Sequence, residues 1–105
     1  MCTAHDIPIL EFDKPVFLAG RNTTIRRSDH WHAQARARLR LHDGSLSPPI
    51  PLQTSLKKFS ALSASDLQFE HDPQCRSLAG LLLELQRLYP GFDPDEIITV
   101  CHFDL

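Results

Sequence analysis

The stretch from residue 36 to residue 41 (RARLRL) alternates strictly between arginine and apolar residues. Neighbouring side chains of a β-strand point to opposite faces, so this pattern predicts a half-buried strand. Arg36, Arg38 and Arg40 would then form its basic outer face, and the alanine and leucines between them would face a core. Asp43-Gly44 follows directly and is typical of a turn.

Three further segments are predicted as strands. Residues 7–12 (IPILEF) are rich in β-forming residues, and Pro8 would place them at a sheet edge or a strand start. Leu52, Thr54 and Leu56 continue the alternation after a proline-rich loop. Residues 97–103 (IITVCHF) are apolar and β-branched, which favours a buried final strand.

Two short helices are expected between these strands. Residues 13–20 begin with a potential cap, Asp13, and end at Gly20, which can adopt the left-handed conformation that terminates helices. Residues 63–69 form a second candidate, with Ser63 or Ser65 as its cap.

A longer helix is predicted near the end of the chain. Ser77 is its expected N-cap, and Tyr89-Pro90-Gly91 would stop it. Gly80 costs about 1 kcal/mol relative to alanine inside a helix, which indicates close packing at that point. The helix would bury a stripe of leucines at helical spacing, namely Leu78, Leu81, Leu82, Leu85 and Leu88.

Length and composition favour one domain spanning residues 1–105, with 42% apolar and 23% charged side chains. No apolar run approaches the roughly 20 residues of a membrane span. Residues 1–6 lack the basic and apolar regions of a signal peptide. We therefore expect a soluble cytoplasmic protein without a membrane partner, and a monomer is the favoured state.

The three cysteines, Cys2, Cys75 and Cys101, are odd in number and scattered along the chain. This pattern argues against a disulfide framework and against a zinc knuckle. His30 and His32 have the spacing of two metal ligands on one strand face, but no third ligand accompanies them. We expect three reduced thiols, with Cys101 buried, and no metal.

Charge is divided unevenly along the chain. Residues 14–58 hold nine basic and two acidic residues, whereas the remaining segments hold two basic and eleven acidic ones. Such a dipolar chain is suited to presenting one face to a polyanion.

Three motifs together resemble the ASCH family, whose domains have a PUA-like β-barrel fold. They are residues 18–26 (LAGRNTTIR), residues 88–91 (LYPG) and the final strand that ends in His102-Phe103. Within that family the chain is most similar to the small bacterial N4-acetylcytidine amidohydrolases. The resemblance implies an α+β fold, a PUA-like β-barrel with short flanking helices, and an enzyme that needs no cofactor.

The family signature is a glycine, a lysine two residues later, a threonine or glutamate three beyond it, and an arginine two further. Counting from Gly20 without a gap places Asn22, Ile25 and Arg27 at these positions. Neither this register nor one in which a single residue after Gly20 is removed supplies the lysine.

Removing one residue after Gly20 gives Arg21, Thr24 and Arg26, which restores both a cation and Thr-x-Arg, so we prefer this register. The resemblance then implies that Arg21 polarises the substrate carbonyl and that Thr24 is the nucleophile or orients water. An arginine stays protonated and can stabilise an oxyanion, but it is a poor base. Asn22, Arg26 and Trp31 would bind the substrate, with Trp31 stacking on a base.

The family glutamate, which shuttles protons, precedes the leucine-rich helix. Glu70 is the favoured candidate here, with Asp72 and Gln74 as alternatives. His71 between them could be a general base.

Two rival functions remain open. A non-catalytic RNA-binding module would use the basic strand with Arg36, Arg38 and Arg40 to contact phosphates. An ASCH-type ribonuclease would use Thr24 and His71. The partner is accordingly a modified cytidine nucleoside or RNA.

Overall fold

The computed structural model describes residues 7–13 and 15–105, and this part of the chain is an α+β fold. Three 3-10 turns accompany the regular elements, at His30–Ala33, Phe59–Ala61 and Pro73–Arg76. In chain order the strands and helices are β1 (Ile9–Leu10), β2 (Arg21–Arg27), β3 (Arg36–Leu39), β4 (Ile50–Pro51), β5 (Gln53–Lys58), α1 (Ala64–Leu67), α2 (Leu78–Leu88) and β6 (Ile97–Asp104).

The larger sheet is antiparallel, in the order β2-β6-β5, so the last strand of the chain lies in its middle. Both predicted strands in the second half are therefore confirmed. The register places Thr24 opposite Cys101 and Cys101 opposite Thr54. Because β2 lies at one edge of this sheet, only one of its sides is paired along its whole length.

The smaller sheet has the order β1-β3-β4, with β1 parallel and β4 antiparallel to β3. The predicted alternation is confirmed, since Ala37 and Leu39 are fully buried. The edge position expected for the strand after Pro8 is confirmed as well. The described strands thus form two separate three-stranded sheets, with no closed barrel among them.

Two apolar clusters hold these layers together. Side chains from α1, α2 and the larger sheet form the first cluster, and the smaller sheet packs against Phe103 in the second. The first includes Ile25, Leu67, Leu81, Leu85, Ile98 and Val100. The leucine stripe is narrower than predicted, because Leu81 and Leu85 are buried whereas Leu78 and Leu88 remain partly exposed.

Both predicted helices in the second half begin where their caps indicate. The Ser77 hydroxyl accepts a hydrogen bond from the Gly80 amide at 3.1 Å. Ser63 caps α1 in a reciprocal arrangement with Asp66. Close packing at Gly80 is also confirmed, because a Cβ there would collide with the backbone oxygen of Gln74.

The helix predicted over residues 13–20 is wrong. Residues 15–20 form no helix, and Lys14 lies outside the described residues, as do residues 1–6 with Cys2. The Val16 amide donates to the carbonyl of His71, and the Leu18 amide donates to the Asn22 side chain. These distant and side-chain partners replace the intrahelical bonds. Gly20 does adopt a positive φ of 88°, but at a turn rather than at a helix end.

No helix in the described part of the chain combines the length and apolar character needed to cross a bilayer.

Candidate functional site

A cavity of about 80 Å³ lies between β2, the loop at residues 70–72 and α2. Thr24, Arg26 and Glu70 all line it, although Glu70 is far from the other two in sequence. His71 and Tyr89 contribute further walls. Three of the residues singled out from the sequence therefore meet at one place.

The cavity exists because the second neighbour of β2, the loop around residue 70, pairs with this strand only at Thr23. The Thr23 amide donates to the carbonyl of Phe69 at 2.8 Å, and the His71 amide donates to the carbonyl of Thr23 at 3.0 Å. This parallel bridge ties the loop to the edge of β2. Beyond Thr23 the loop and the strand diverge, and the cavity occupies the gap.

Thr24 and Arg26 share one face of β2 because they are two residues apart. Arg26 Nε donates to Thr24 Oγ1 at 3.1 Å, and Nη2 donates to the carbonyl of Glu11 at 2.7 Å. The guanidinium lies 5.0 Å from the centre of the Phe12 ring. Burial lowers the pKa of Arg26, and the charge of Glu70 opposes this effect. The arrangement holds a cation beside the threonine hydroxyl.

Glu70 and His71 form a carboxylate–imidazole pair in which Glu70 is buried and His71 is half-buried. Glu70 is 1% exposed, and its Oε1 lies 2.5 Å from Nδ1 of His71. The same Nδ1 is 3.2 Å from the carbonyl oxygen of Thr23. Because both neighbours of Nδ1 accept hydrogen bonds, the network assigns a proton to Nδ1, and the neutral form of the ring then has its lone pair on Nε2. This is the arrangement by which a carboxylate orients a histidine base.

Glu70, Asp72 and Gln74, the three candidates for the glutamate of the resembling motif, differ in burial and in whether they line the cavity. Asp72 lines the cavity, but its Oδ1 caps the following turn by accepting from the Gln74 amide at 3.0 Å. Gln74 is exposed and does not line the cavity. Glu70 is the member of the three that is buried there.

Arg21 does not share the site with Thr24. The two residues are an odd number of positions apart on a continuous strand, so their side chains leave opposite faces of the sheet. Arg21 donates to Gln53 Oε1 at 2.7 Å and lies 4.0 Å from Asp104. The structure therefore does not bring Arg21 together with Thr24, and the arginine that lines the cavity is Arg26.

Asn22 is the second residue of β2, and its buried side chain contacts the preceding turn rather than lining the cavity. Its Oδ1 accepts from the Leu18 amide, and its Nδ2 donates to the carbonyls of Leu18 and Gly20, at 2.8 to 3.0 Å. All of these contacts are with its own chain. The structure thus places Asn22 outside the cavity lining, with its polar atoms bonded to Leu18 and Gly20.

Trp31 also lies away from the cavity. It belongs to the turn His30–Ala33 and packs, half-buried, against the cluster formed with the smaller sheet. In the described part of the chain no group of three potential metal ligands is present. Trp31 thus has a packing partner in place of the expected contact with a base.

Two residues of the predicted basic face, Arg36 and Arg38, lie on β3, and Arg40 directly follows that strand; none of the three lines the cavity. Arg40 Nε is 3.3 Å from Glu11 Oε1, and Nη1 donates to the carbonyl of Gly44 at 3.2 Å. Arg36 and Arg38 form no ion pair with any described residue.

The two described thiols are free, buried and poorly suited to nucleophilic chemistry. Cys75 lines the cavity, but burial, with the charges of Glu70 and Asp72, raises the pKa of its thiol. Burial also raises the pKa of Cys101, to about 11. Because the thiolate is the reactive form, neither cysteine supplies a nucleophile at neutral pH. The expected burial of Cys101 is confirmed.

His71 is the residue of this cavity to which the sequence analysis gave least weight. Its signal was its position directly after Glu70, yet that adjacency does not reveal the bridge between Thr23 and Glu70, beside which Glu70 is buried and His71 half-buried. Comparison of the chain with protein families, curated proteins and solved structures found no match.

Proposed function

We propose that this cavity is the active site of a small amide hydrolase, which converts N4-acetylated cytidine nucleosides to cytidine and acetate. The observation that carries the proposal is the meeting of Thr24, Arg26 and the Glu70–His71 pair in one cavity. The resemblance to ASCH amidohydrolases supplies the substrate. On this proposal the two small sheets are this chain's version of the PUA-like barrel.

The size of the cavity matches the acyl part of such a substrate. Pockets that enclose a drug-sized ligand measure about 300–1,000 Å³, whereas this cavity measures about 80 Å³. An acetyl group fits within it, and the ribose remains outside. The scissile amide is then brought to the buried residues.

The acidic lining favours an uncharged substrate over a phosphodiester. Arg26 is accompanied by five carboxylates, which would repel a phosphate group at close range. They are Glu11, Asp13, Glu70, Asp72 and Glu84. Arg87 pairs with two of them, Asp13 and Glu84, without joining the lining.

Each step of the hydrolysis has a residue in the cavity. Arg26 polarises the acetyl carbonyl and stabilises the negative charge that develops on its oxygen. The Thr24 hydroxyl attacks the carbonyl carbon or orients the attacking water, and the proton released passes to His71 Nε2 while Glu70 holds the ring. The C–N bond then breaks, and the same proton passes to the departing N4 amino group. Where Thr24 attacks, water then hydrolyses its acetyl ester, which releases acetate and restores the threonine hydroxyl; where water attacks, it supplies the acetate oxygen and the second N4 hydrogen directly.

The test is hydrolysis of N4-acetylcytidine by the purified protein, with cytidine followed by chromatography. Thr24→Ala should lower kcat/KM by about 100-fold or more, since positioned groups of this kind contribute about that factor. Thr54→Ala is the matched control, because Thr54 lies on the same sheet and does not line the cavity. Absence of turnover at high enzyme concentration, or equal activity of the two variants, would overturn the proposal.

The unpaired state of Arg36 and Arg38 on the outer face of β3 favours RNA binding as a second candidate function. This function predicts an affinity for RNA that falls steeply with salt, because phosphate contacts release counterions. Joint replacement of Arg36, Arg38 and Arg40 by alanine should abolish it and leave nucleoside hydrolysis unchanged. Salt-independent retention of RNA by that variant would exclude the basic strand.

A further inference from the structure

The backbone of β2 has a fixed alternation of hydrogen-bonding directions. At its two ends, the Gly20 amide donates to the carbonyl of Leu105, and the Ser28 amide donates to the carbonyl of Ile97. The register between these points is continuous, so the even-numbered residues of β2 direct their N–H and C=O groups towards β6. The odd-numbered residues direct theirs to the open edge.

Thr23 demonstrates this outward direction, because its amide and carbonyl bond to the loop of Phe69 and His71. Ile25 is the next residue with the same orientation. It is only 7% exposed, and neither its N–H nor its C=O has a partner among the described residues. Buried backbone groups are almost always paired, so this donor and acceptor need a partner that the described chain does not supply.

The cavity lies where that partner would bind. Its lining includes three consecutive residues of β2, Thr24, Ile25 and Arg26, whose side chains alternate between the faces of the sheet. A cavity that contacts both faces at consecutive positions runs along the strand edge. The free N–H and C=O of Ile25 therefore border the same space as the guanidinium of Arg26.

We propose that Ile25 reads the substrate through its backbone, binding a planar ligand that carries an acceptor and a donor on adjacent ring positions. Given the proposed function, on which this inference rests, the ligand is the aminopyrimidine edge of the cytosine ring. The carbonyl of Ile25, which forms the peptide bond to Arg26, accepts a hydrogen bond from N4–H. The amide of Ile25 donates a hydrogen bond to N3. Pairing with the Watson–Crick edge is how enzymes that act on single bases identify them.

This arrangement links recognition to the reaction. Because N4 carries the acetyl group, the hydrogen bond from N4–H to the Ile25 carbonyl sets the amide next to Arg26 and Thr24. An isolated acetamide lacks the ring acceptor and would lose half of the contact. The edge of β2 thus selects a cytosine ring over a simple amide of the same size.

The first experiment compares cytidine with 3-deazacytidine, which has a C–H in place of the N3 acceptor. Binding of each is measured by titration of the wild-type protein, with the ¹H–¹⁵N resonance of the Ile25 amide as a local readout. We expect cytidine to bind about tenfold more tightly, since the analogue leaves the Ile25 amide unpaired. Cytidine alone should shift the amide proton strongly.

The second experiment removes the donor. Ile25→Pro deletes an N–H that points to the open edge, and proline is tolerated at such positions because no ladder bond is lost. Ile25→Val is the matched control, since it trims the buried side chain and keeps the N–H. Tenfold discrimination should persist in the valine variant and disappear in the proline variant.

The outcomes separate this inference from the proposed function. Equal binding of cytidine and 3-deazacytidine to the wild-type protein overturns the role of Ile25, even if N4-acetylcytidine is hydrolysed and Thr24→Ala is inactive. If no nucleoside binds and no amide is hydrolysed, both proposals are wrong. The analogue comparison in the wild-type protein decides the matter even where Ile25→Pro does not fold.

Discussion

Replacing Asn22 by alanine should destabilise the protein rather than weaken its binding of a ligand. The side chain is fully buried and makes three hydrogen bonds, two of which satisfy both backbone groups of Leu18. The third goes to the carbonyl of Gly20, which also accepts from the Leu105 amide and so keeps one partner. At about 0.5–1.5 kcal/mol for each hydrogen bond, we expect a loss of about 2–4 kcal/mol in the free energy of unfolding.

Urea unfolding followed by far-UV circular dichroism measures this loss. Gln53→Ala is the matched control, because it removes an amide from the same sheet whose hydrogen bond, to Arg21, is exposed. That variant should change the free energy of unfolding by less than about 0.5 kcal/mol. If Asn22→Ala is as stable as the control and instead loses affinity for the substrate, the reasoning that makes Asn22 a clamp of the turn is refuted.

Three other substitutions or measurements test the structure. Gly80→Ala should destabilise the protein by more than about 1 kcal/mol in urea, although alanine favours helices, because its Cβ would collide with the Gln74 carbonyl; a stabilised variant would contradict the packing. Burial lowers the pKa of His102, so as the pH falls the unfolded chain binds a proton at a higher pH than the folded protein does. The stability that depends on a neutral His102 is therefore complete above about pH 6.5 and declines as the pH falls through that value. Unfolding titrations at about pH 7.5 and 5.5 should therefore show a smaller pH effect for His102→Gln than for the wild type. Because burial raises the pKa of Cys101 to about 11, a thiol reagent should label it at neutral pH only after urea is added, and prompt labelling of Cys101 in the native protein, located by peptide mapping, would contradict its burial.

Features that depend on local pattern could be predicted from the sequence. The alternation of residues 36–41 predicts a half-buried strand because the period of two is a property of the strand itself. Ser77 could be identified as a cap, and Ser63 as one of two candidates with Ser65, because a cap bonds to an amide within the next turn. The burial of Cys101 follows from its place in an apolar, β-branched segment.

Features that depend on distant partners could not be predicted in this way. Local signals favoured a helix over residues 13–20, but the carbonyl of His71 and the side chain of Asn22 supply the bonds that a helix would have made. Arg21 was grouped with Thr24 because the gapped register of the family motif supplies a cation there, whereas strand alternation places the two side chains on opposite faces. The closed barrel implied by the resemblance involves pairing between distant strands, on which a local pattern has no bearing.

The candidate site shows the same division. Thr24 and Arg26 lie on one face because of their spacing, which the sequence displays directly. The burial of Glu70 beside His71 depends on a bridge to Thr23, and nothing in the neighbourhood of residue 70 indicates that contact. The unpaired backbone of Ile25 is invisible in a sequence, since it depends on where the neighbouring loop ends its pairing.

The central position of β6 has a consequence for biosynthesis. Of the three strands in the larger sheet, the middle one is synthesised last. The hydrogen-bond partner of the Thr23 side chain, His102, lies 79 positions further along the chain. Until then β2 and β5 have no strand between them, and both expose edges that can pair with another nascent chain. Such distant pairing also slows folding, because a long loop must close before any contact stabilises it. A translational stop before residue 97 would therefore release a chain in which β2 and β5 lack the strand that joins them into a sheet.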